Sequence, residues 1–448
     1  MTTLDTLITR LPPGRVISDP AVTASYAGDQ THLTPGVPLA VVAPRDTAEV
    51  VAAVRWAAEH RVPVVPRGGG TGLAGGAVAT DGCLVLSLAR MNRIRELSPA
   101  DGLAVVEPGV INADLDRAAR EHGLMYAPDP SSYESCTIGG NLATNAGGLR
   151  CVKYGVTREA ALGLEVVLAD GRIVRTGGRT VKGVTGYDLT GLFVGSEGTL
   201  GVITEATLRL RPAPAAPATV LATFPGPRQA AAAAAAIVAD GLRPSLLELL
   251  DRATLQAIDD WKGIDLDPGT GAMLIAQSDD GPATAMADRC EQSGADLVAV
   301  SSDPAEAAAL LDLRRLAHPA AERLGACLVE DVCVPRSRLA EMFHRIETAA
   351  RTHNATILTV AHAGDGNLHP FFVFDRGEPE PPPHVWAAAD EVFTAALELG
   401  GTLTGEHGVG LLKRRWLDQE LDEVSLDLHH RIKQALDPKG LLNPTKAL

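Results

Sequence analysis

Short apolar runs broken by turns fill the first hundred residues, and longer helical periodicities appear beyond residue 217. Leu39 to Ala43 reads as a strand, Thr47 to His60 as a helix capped by Asp46 or Thr47, and Val62 to Val65 as a second strand. A further strand, Cys83 to Leu88, follows almost at once. This pattern predicts an α+β domain with short strands, not a long series of regular β-α-β units. Arg211 to Pro217 is a Pro/Ala linker and a natural domain boundary. Beyond it come strand Val220 to Phe224, the alanine-rich helix Arg228 to Ala239, strand Met273 to Gln277 and helix Ala283 to Ser293. Strand Asp296 to Val300, helix Pro304 to Leu316, helix Arg336 to His353 and strand Thr356 to Ala361 complete the series. It predicts an α/β sandwich on an antiparallel sheet, with no internal repeat.

Three glycine-rich segments punctuate the first half: Pro66 to Gly72, Ile138 to Gly148 and Gly195 to Ile203. Each alone is an ordinary turn; together they suggest backbone approaching a large ligand from several sides, which fits a nucleotide cofactor better than a small metabolite. Gly70-Thr-Gly72-Leu-Ala-Gly75 matches the dinucleotide-binding G-x-G-x-x-G, with Glu96 near the place of the ribose-binding acid. That motif needs a helix opening at its second glycine, yet Leu73 to Thr80 is short, carries Gly75 and Gly76, and runs into the turn Asp81-Gly82. The match is therefore a decoy, although the loop amides can still cradle a phosphate.

At 448 residues the chain suggests two or three domains, and 46% hydrophobic content makes it globular. A formal charge of −15 argues against nucleic acid or an anionic membrane surface as the main partner. An anionic substrate would need local Arg, Lys or metal against that field. The start of the chain has no basic segment followed by an apolar core, and no apolar run is long enough to span a bilayer, so a cytoplasmic, soluble protein is expected. Cys83, Cys136, Cys151, Cys290, Cys327 and Cys333 form no C-x-x-C pair, which predicts reduced, mostly buried thiols and no iron–sulfur cluster within this chain.

Candidate chemistry concentrates near the C-terminus. His362 and His369 flank a Gly-Asp-Gly-Asn turn, and if the chain reverses there their imidazoles converge on one side. Glu406 can supply a carboxylate, and two imidazoles plus one carboxylate with open positions hold catalytic divalent ions. His407, pointing elsewhere, is then available as a base. A set of structural, hydrogen-bonded histidines is the bland alternative, and spacing alone does not decide.

Six segments occur in order: PRGGGTG at 66 to 72, SCTIGGNLATNAGGLR at 135 to 150, VKGVTGYDLTGLFVGSEGTLGVIT at 181 to 204, HAGDGNLH at 362 to 369, GEHGVG at 405 to 410 and GLLNP at 440 to 444. With them, over nearly its whole length, the chain resembles the flavoprotein family of glycolate oxidase catalytic subunits, D-lactate dehydrogenases and D-2-hydroxyglutarate dehydrogenases. The resemblance implies an α+β fold with a vanillyl-alcohol-oxidase (PCMH-type) FAD-binding domain of two α/β subdomains over residues 1–211. A ferredoxin-like α/β cap over 212–404 would hold the substrate, and 405–448 would return to the flavin site. By the same resemblance Arg67, Gly68, Gly69, Gly70, Thr71 and Gly72 bind the pyrophosphate. Gly139, Gly140, Asn141, Thr144, Gly147 and Gly148, with Glu197, Gly198 and Ile203, line the flavin and adenine ends, and Asn443 closes on the cofactor. The first glycine loop has no His or Cys, so noncovalent FAD is expected.

The resemblance also makes His362, His369 and Glu406 ligands of a divalent metal, zinc first with manganese or iron as alternatives, and His407 the base. Arg314 matches the arginine that grips the substrate carboxylate, its neighbour Arg315 being the alternative as a helix-surface charge. Where D-2-hydroxyglutarate-specific relatives carry a Thr and a Lys for a second carboxylate, this chain reads His318 and Val329. The implied reaction is oxidation of D-lactate or glycolate to the 2-oxo acid, with D-2-hydroxyglutarate or an alditol or aldonolactone as alternative substrates. A metal-dependent hydrolase with merely structural glycine loops, or a non-catalytic flavin subunit, are the competing classes. The electron acceptor stays open, an electron-transfer protein or an iron–sulfur subunit among the candidates.

Overall fold

The computed structural model describes residues 3–214, 217–281 and 283–448. It divides into two compact units: residues up to Gly147 with Gly155–Ala213 and Glu406–Leu448, and Gly148–Tyr154 with Pro214–Gly405. The seams at 213/214 and 405/406 fall beside the Pro/Ala stretch, whose Ala215 and Ala216 lie outside the described residues, and inside GEHGVG.

In the first unit, Ala40–Val42 and Val64–Arg67 flank Leu84–Ser87 in parallel, and Val16–Ile17 adds an antiparallel edge. Helix Thr47–His60 covers this sheet with the face Val50, Ala53, Val54 and Ala57, the spacing its sequence predicts. Asp46 caps it, accepting from the Glu49 amide at 2.9 Å, and Arg61 ends it with φ +56°. Two of the three parallel strands, 64–67 and 84–87, are joined with no helix, so the G-x-G-x-x-G match is a decoy in space as well as in sequence. Glu96 is exposed and pairs with Arg179. The second sheet of this unit is antiparallel, in the order Ile94–Ser98, Leu103–Val106, Val202–Arg209, Ala161–Val167, Ile173–Gly177. The C-terminal segment returns to the first sheet: Val64 N donates to Leu441 O at 2.8 Å and Asn443 N to Val64 O at 2.7 Å.

The second unit is built on one eight-stranded antiparallel sheet. Its order is Leu297–Ser301, Ala218–Phe224, Ala272–Ser278, Leu246–Asp251, Thr356–His362, Asn367–Phe374 and Ala326–Val329, with Val332–Cys333 also on Asn367–Phe374. Helices Arg252–Lys262 and Ala317–Leu324 pack on the face that carries Leu246, Leu250, Leu358, Val360 and Phe371. Strand Leu246–Asp251, helix Arg252–Lys262 and helix Pro383–Glu398 were not among the elements expected from the sequence. The first of these is a short apolar run interrupted only by Glu248, with no alternation to mark a strand, because the sheet is covered on both faces. All six cysteines are free thiols, and no helix among the described residues is long and apolar enough to cross a membrane.

Candidate active site

Thr356–His362 and Asn367–Phe374 form a hairpin in which His362 opposes Asn367 and Val360 opposes His369. Both histidines sit in the strands rather than in the turn, on one face and two pairs apart, so their imidazoles converge. The ring centroids are 4.9 Å apart at 81°, and a ligand nitrogen of each lies within 4.8 Å of the other's. Both are buried. The reversal needs Gly366 at φ +90°, where a side chain would strike the Val334 backbone, and Asp365 Oδ1 accepts from the Asn367 amide at 3.4 Å.

The next strand over places Glu248 directly opposite His362. Its two oxygens are divided: Oε1 meets His362 Nδ1 at 2.7 Å, and Oε2 accepts from Arg314 Nε at 2.7 Å. Glu248 and Arg314 are both buried, so the pair compensates two charges that neither could keep alone at this depth. Arg315, by contrast, lies on the helix surface against Asp312 at 3.1 Å. His318 stacks on Phe371 with centroids 5.5 Å apart, and Val329 pairs with Phe371 across the sheet.

Asp331 anchors the chain just before Glu406: its carboxylate accepts from Thr404 Oγ1 at 3.0 Å and from the Gly405 amide at 2.7 Å. Within the first unit Glu406 packs on Gly147, where a Cβ would lie 3.2 Å from Glu406 Cβ and 3.3 Å from Cδ, and closer still to Oε2. The absent side chain at Gly147 is what makes room for that carboxylate. Gly148 already belongs to the segment grouped with the second unit.

The other glycine segments are structured differently from plain loops. Ile138–Thr144, holding Gly139, Gly140, Asn141 and Thr144, is a short helix whose Thr137 cap accepts from the Gly140 amide at 3.3 Å. Asn141 is buried and its Oδ1 accepts from Asn112 Nδ2 at 3.0 Å, while Thr144 Oγ1 bonds Gly140 O at 3.3 Å. Gly68 and Gly69 press on Thr137 and Ser135, Gly70 turns at φ +74° against the Arg67 guanidinium, and Thr71 and Gly72 are half-buried. Gly198 packs on Pro66 and Ile203 is buried in its strand. Glu197, read from the sequence as a cofactor contact, spends its carboxylate on the amides of Val409 at 2.8 Å and Gly410 at 2.9 Å. It thereby fixes the turn that carries His407. Burial pushes its carboxyl up to about 7.

Asn443 donates through Nδ2 to Gly76 O at 2.9 Å and Glu197 O at 2.6 Å, while its buried Oδ1 meets no hydrogen-bond partner among the described residues. The same holds for Lys446 Nζ, an amine held down to about 8 chiefly by burial. A buried donor and a buried acceptor in reach of a glycine loop fit a polar, phosphate-bearing cofactor. Glu248, Asp331 and Lys446 escaped the sequence reading. The signal for the first was a single carboxylate inside the apolar run Leu246-Leu-Glu-Leu-Leu250.

Comparison with known proteins identifies the family and the fold. Residues 38–177 match the FAD binding domain family and residues 213–447 the C-terminal domain of FAD linked oxidases. Glycolate oxidase subunit GlcD of Bacillus subtilis is 44% identical over 428 residues, covering 94% of this chain and 91% of that protein. D-lactate dehydrogenase of Archaeoglobus fulgidus is 37% identical over 415 residues, covering 91% of each. Among solved structures, p-cresol methylhydroxylase with substrate bound superposes with a TM-score of 0.80 at 19% identity, over 99% of this chain and 96% of that one. 4-Ethylphenol oxidase from Gulosibacter chungangensis gives 0.77 at 20% identity, over 99% and 97%. The chain is a FAD-linked oxidoreductase of the PCMH-type fold, and belongs to the family of glycolate oxidase subunits and D-lactate dehydrogenases.

Proposed function

We propose that the protein oxidises a short D-2-hydroxy monocarboxylate, D-lactate or glycolate, to the 2-oxo acid. The observation that carries the reading is the buried His362–His369 pair on the same sheet face as the Glu248–Arg314 pair. Imidazoles whose far nitrogens are tied to carboxylates are how proteins present ligands to a divalent ion. By the resemblance of HAGDGNLH and GEHGVG to the family's motifs, His362, His369 and Glu406 would hold that ion, zinc first with manganese or iron as alternatives. When bound, it would supply Lewis-acid polarisation of a hydroxyl and a carboxylate oxygen. FAD, held noncovalently by the 66–72, 139–148 and 195–203 segments and by Asn443, supplies the hydride acceptor.

The chain's own residues do the rest. Arg314, with Nε committed to Glu248, keeps its terminal nitrogens for a substrate carboxylate. His407, on the turn fixed by Glu197, takes the hydroxyl proton. Residues 1–211 serve as the FAD-binding part, 212–404 as the substrate part, and 405–448 bring Glu406 and His407. Phe371, Val329 and His318 leave no evident donor pair for a second carboxylate, which disfavours D-2-hydroxyglutarate. The electrons would leave to a separate acceptor, an electron-transfer protein or partner subunit, as the subunit names of two relatives suggest.

A screen of D- and L-2-hydroxy acids with an artificial electron acceptor tests this. D-lactate or glycolate should turn over fastest, ahead of D-2-hydroxyglutarate and far ahead of L-lactate. A preference for an L-enantiomer refutes the substrate assignment, and a colourless protein holding zinc points instead to a hydrolase.

A further inference from the structure

The carboxylate of Glu248 is fully buried in the middle of an otherwise apolar strand face, between Leu246 and Leu250. An isolated carboxylate there is strongly disfavoured, and a core needs none. What it does instead is bridge two side chains assigned to different ligands. Antiparallel register sets it opposite His362, and the last turn of helix Pro304–Arg315 brings Arg314 to its other oxygen.

Resting on the metal and substrate reading above, we propose that Glu248 is a positioning residue that orients His362 for the ion and Arg314 for the substrate carboxylate at once. The Oε1 contact at 2.7 Å selects the tautomer with the proton on Nδ1, which leaves Nε2 as the ligand lone pair and raises its basicity. The Oε2 contact at 2.7 Å takes Nε, the inner nitrogen of the guanidinium, and so fixes the plane in which the outer two would grip a carboxylate. The negative charge also compensates Arg314, so that a cation bound nearby is not opposed by an unpaired guanidinium. One residue therefore sets both affinities, and a single substitution should weaken both. A role in packing alone would lower stability and leave the affinity of the folded protein untouched.

The test is Glu248→Gln in the FAD-loaded protein, which keeps shape and removes the charge and one acceptor. Zn²⁺ affinity is read by competition with a chromophoric chelator, and oxalate affinity by perturbation of the flavin spectrum in metal-free protein. We expect the Zn²⁺ Kd to rise 10- to 100-fold, the range for loss of such a supporting partner. The oxalate Kd should rise about tenfold, while FAD content stays at the wild-type value. Either Kd remaining within twofold of wild type in folded protein overturns the inference. If Glu248→Gln does not fold because Arg314 is left unpaired, the double variant Glu248→Gln/Arg314→Gln removes both charges, and wild-type Zn²⁺ affinity in it is equally decisive against the idea. His362→Ala separates the levels: if wild type shows no Zn²⁺ binding that His362→Ala abolishes, the metal reading itself has failed.

Discussion

Gly147→Ala is the sharpest probe of the Glu406 carboxylate. The backbone at Gly147 is not in the left-handed region, so alanine brings no conformational penalty of its own and acts only through its methyl group. That methyl would stand 3.2 Å from Glu406 Cβ and 3.3 Å from Cδ, with Oε2 nearer still. Ordinary carbon contacts lie at about 3.5–4.0 Å, so the carbons must retreat by a few tenths of an ångström and Oε2, which starts nearest, by roughly 1 Å. Metal–ligand distances tolerate only about 0.2 Å, so a retreat of that size removes Glu406 from a coordination set. A misplacement of about 1 Å at a reacting centre is also enough for roughly a 10²-fold loss of rate. Gly147→Ala is therefore expected to fold, to raise the Zn²⁺ Kd by at least tenfold, and to lower kcat with D-lactate about 10²-fold. Elemental analysis, chelator competition and steady-state assay with an artificial acceptor read metal content, affinity and turnover. Wild-type metal affinity and turnover in a folded Gly147→Ala protein would refute the reasoning from packing to coordination.

Three further outcomes are expected. His407→Asn should retain metal and FAD but slow anaerobic flavin reduction, followed by stopped-flow, by roughly 10²-fold or more; equal bleaching rates would remove His407 from the chemistry. Acid precipitation should release the yellow colour into the supernatant, whereas flavin staying with the pellet would contradict noncovalent binding. Glu197 titrates at about 7 in the fold against 4.5 unperturbed, so its contribution to stability is fully present below pH 4.5 and is lost as pH rises through 7. Replacement by Gln should accordingly raise the free energy of unfolding, measured by denaturant titration, relative to wild type more at pH 8 than at pH 5, by a difference of about 2–3 kcal/mol; a pH-independent difference would place the carboxyl in an ordinary environment.

The local record in the sequence was enough for much of this protein. Helix Thr47–His60 was readable from its Asp46 cap and its apolar face, and four of the eight second-unit strands from short apolar runs, because caps and periodicity are decided within a turn or two of chain. The false dinucleotide motif was also recognisable locally, since a helix has no room between Gly72 and Leu84. The histidine hairpin followed from its glycines. What the sequence left undetermined are pairings between distant positions. Glu248 looks like a flaw in a core strand until antiparallel register sets it against His362, 114 residues later in the chain. Arg314 and Arg315 are equivalent as letters, and only the packing of their helix buries one and exposes the other. Gly147 reads as one of several glycines lining the cofactor, and only the fold shows that its missing Cβ is space taken by Glu406. Glu197 gives no hint in the sequence that its carboxylate closes a turn 212 residues on. Side-chain direction along a strand or helix is set by local geometry, whereas which side chains meet depends on register and close packing across the whole fold, and those exist only in three dimensions.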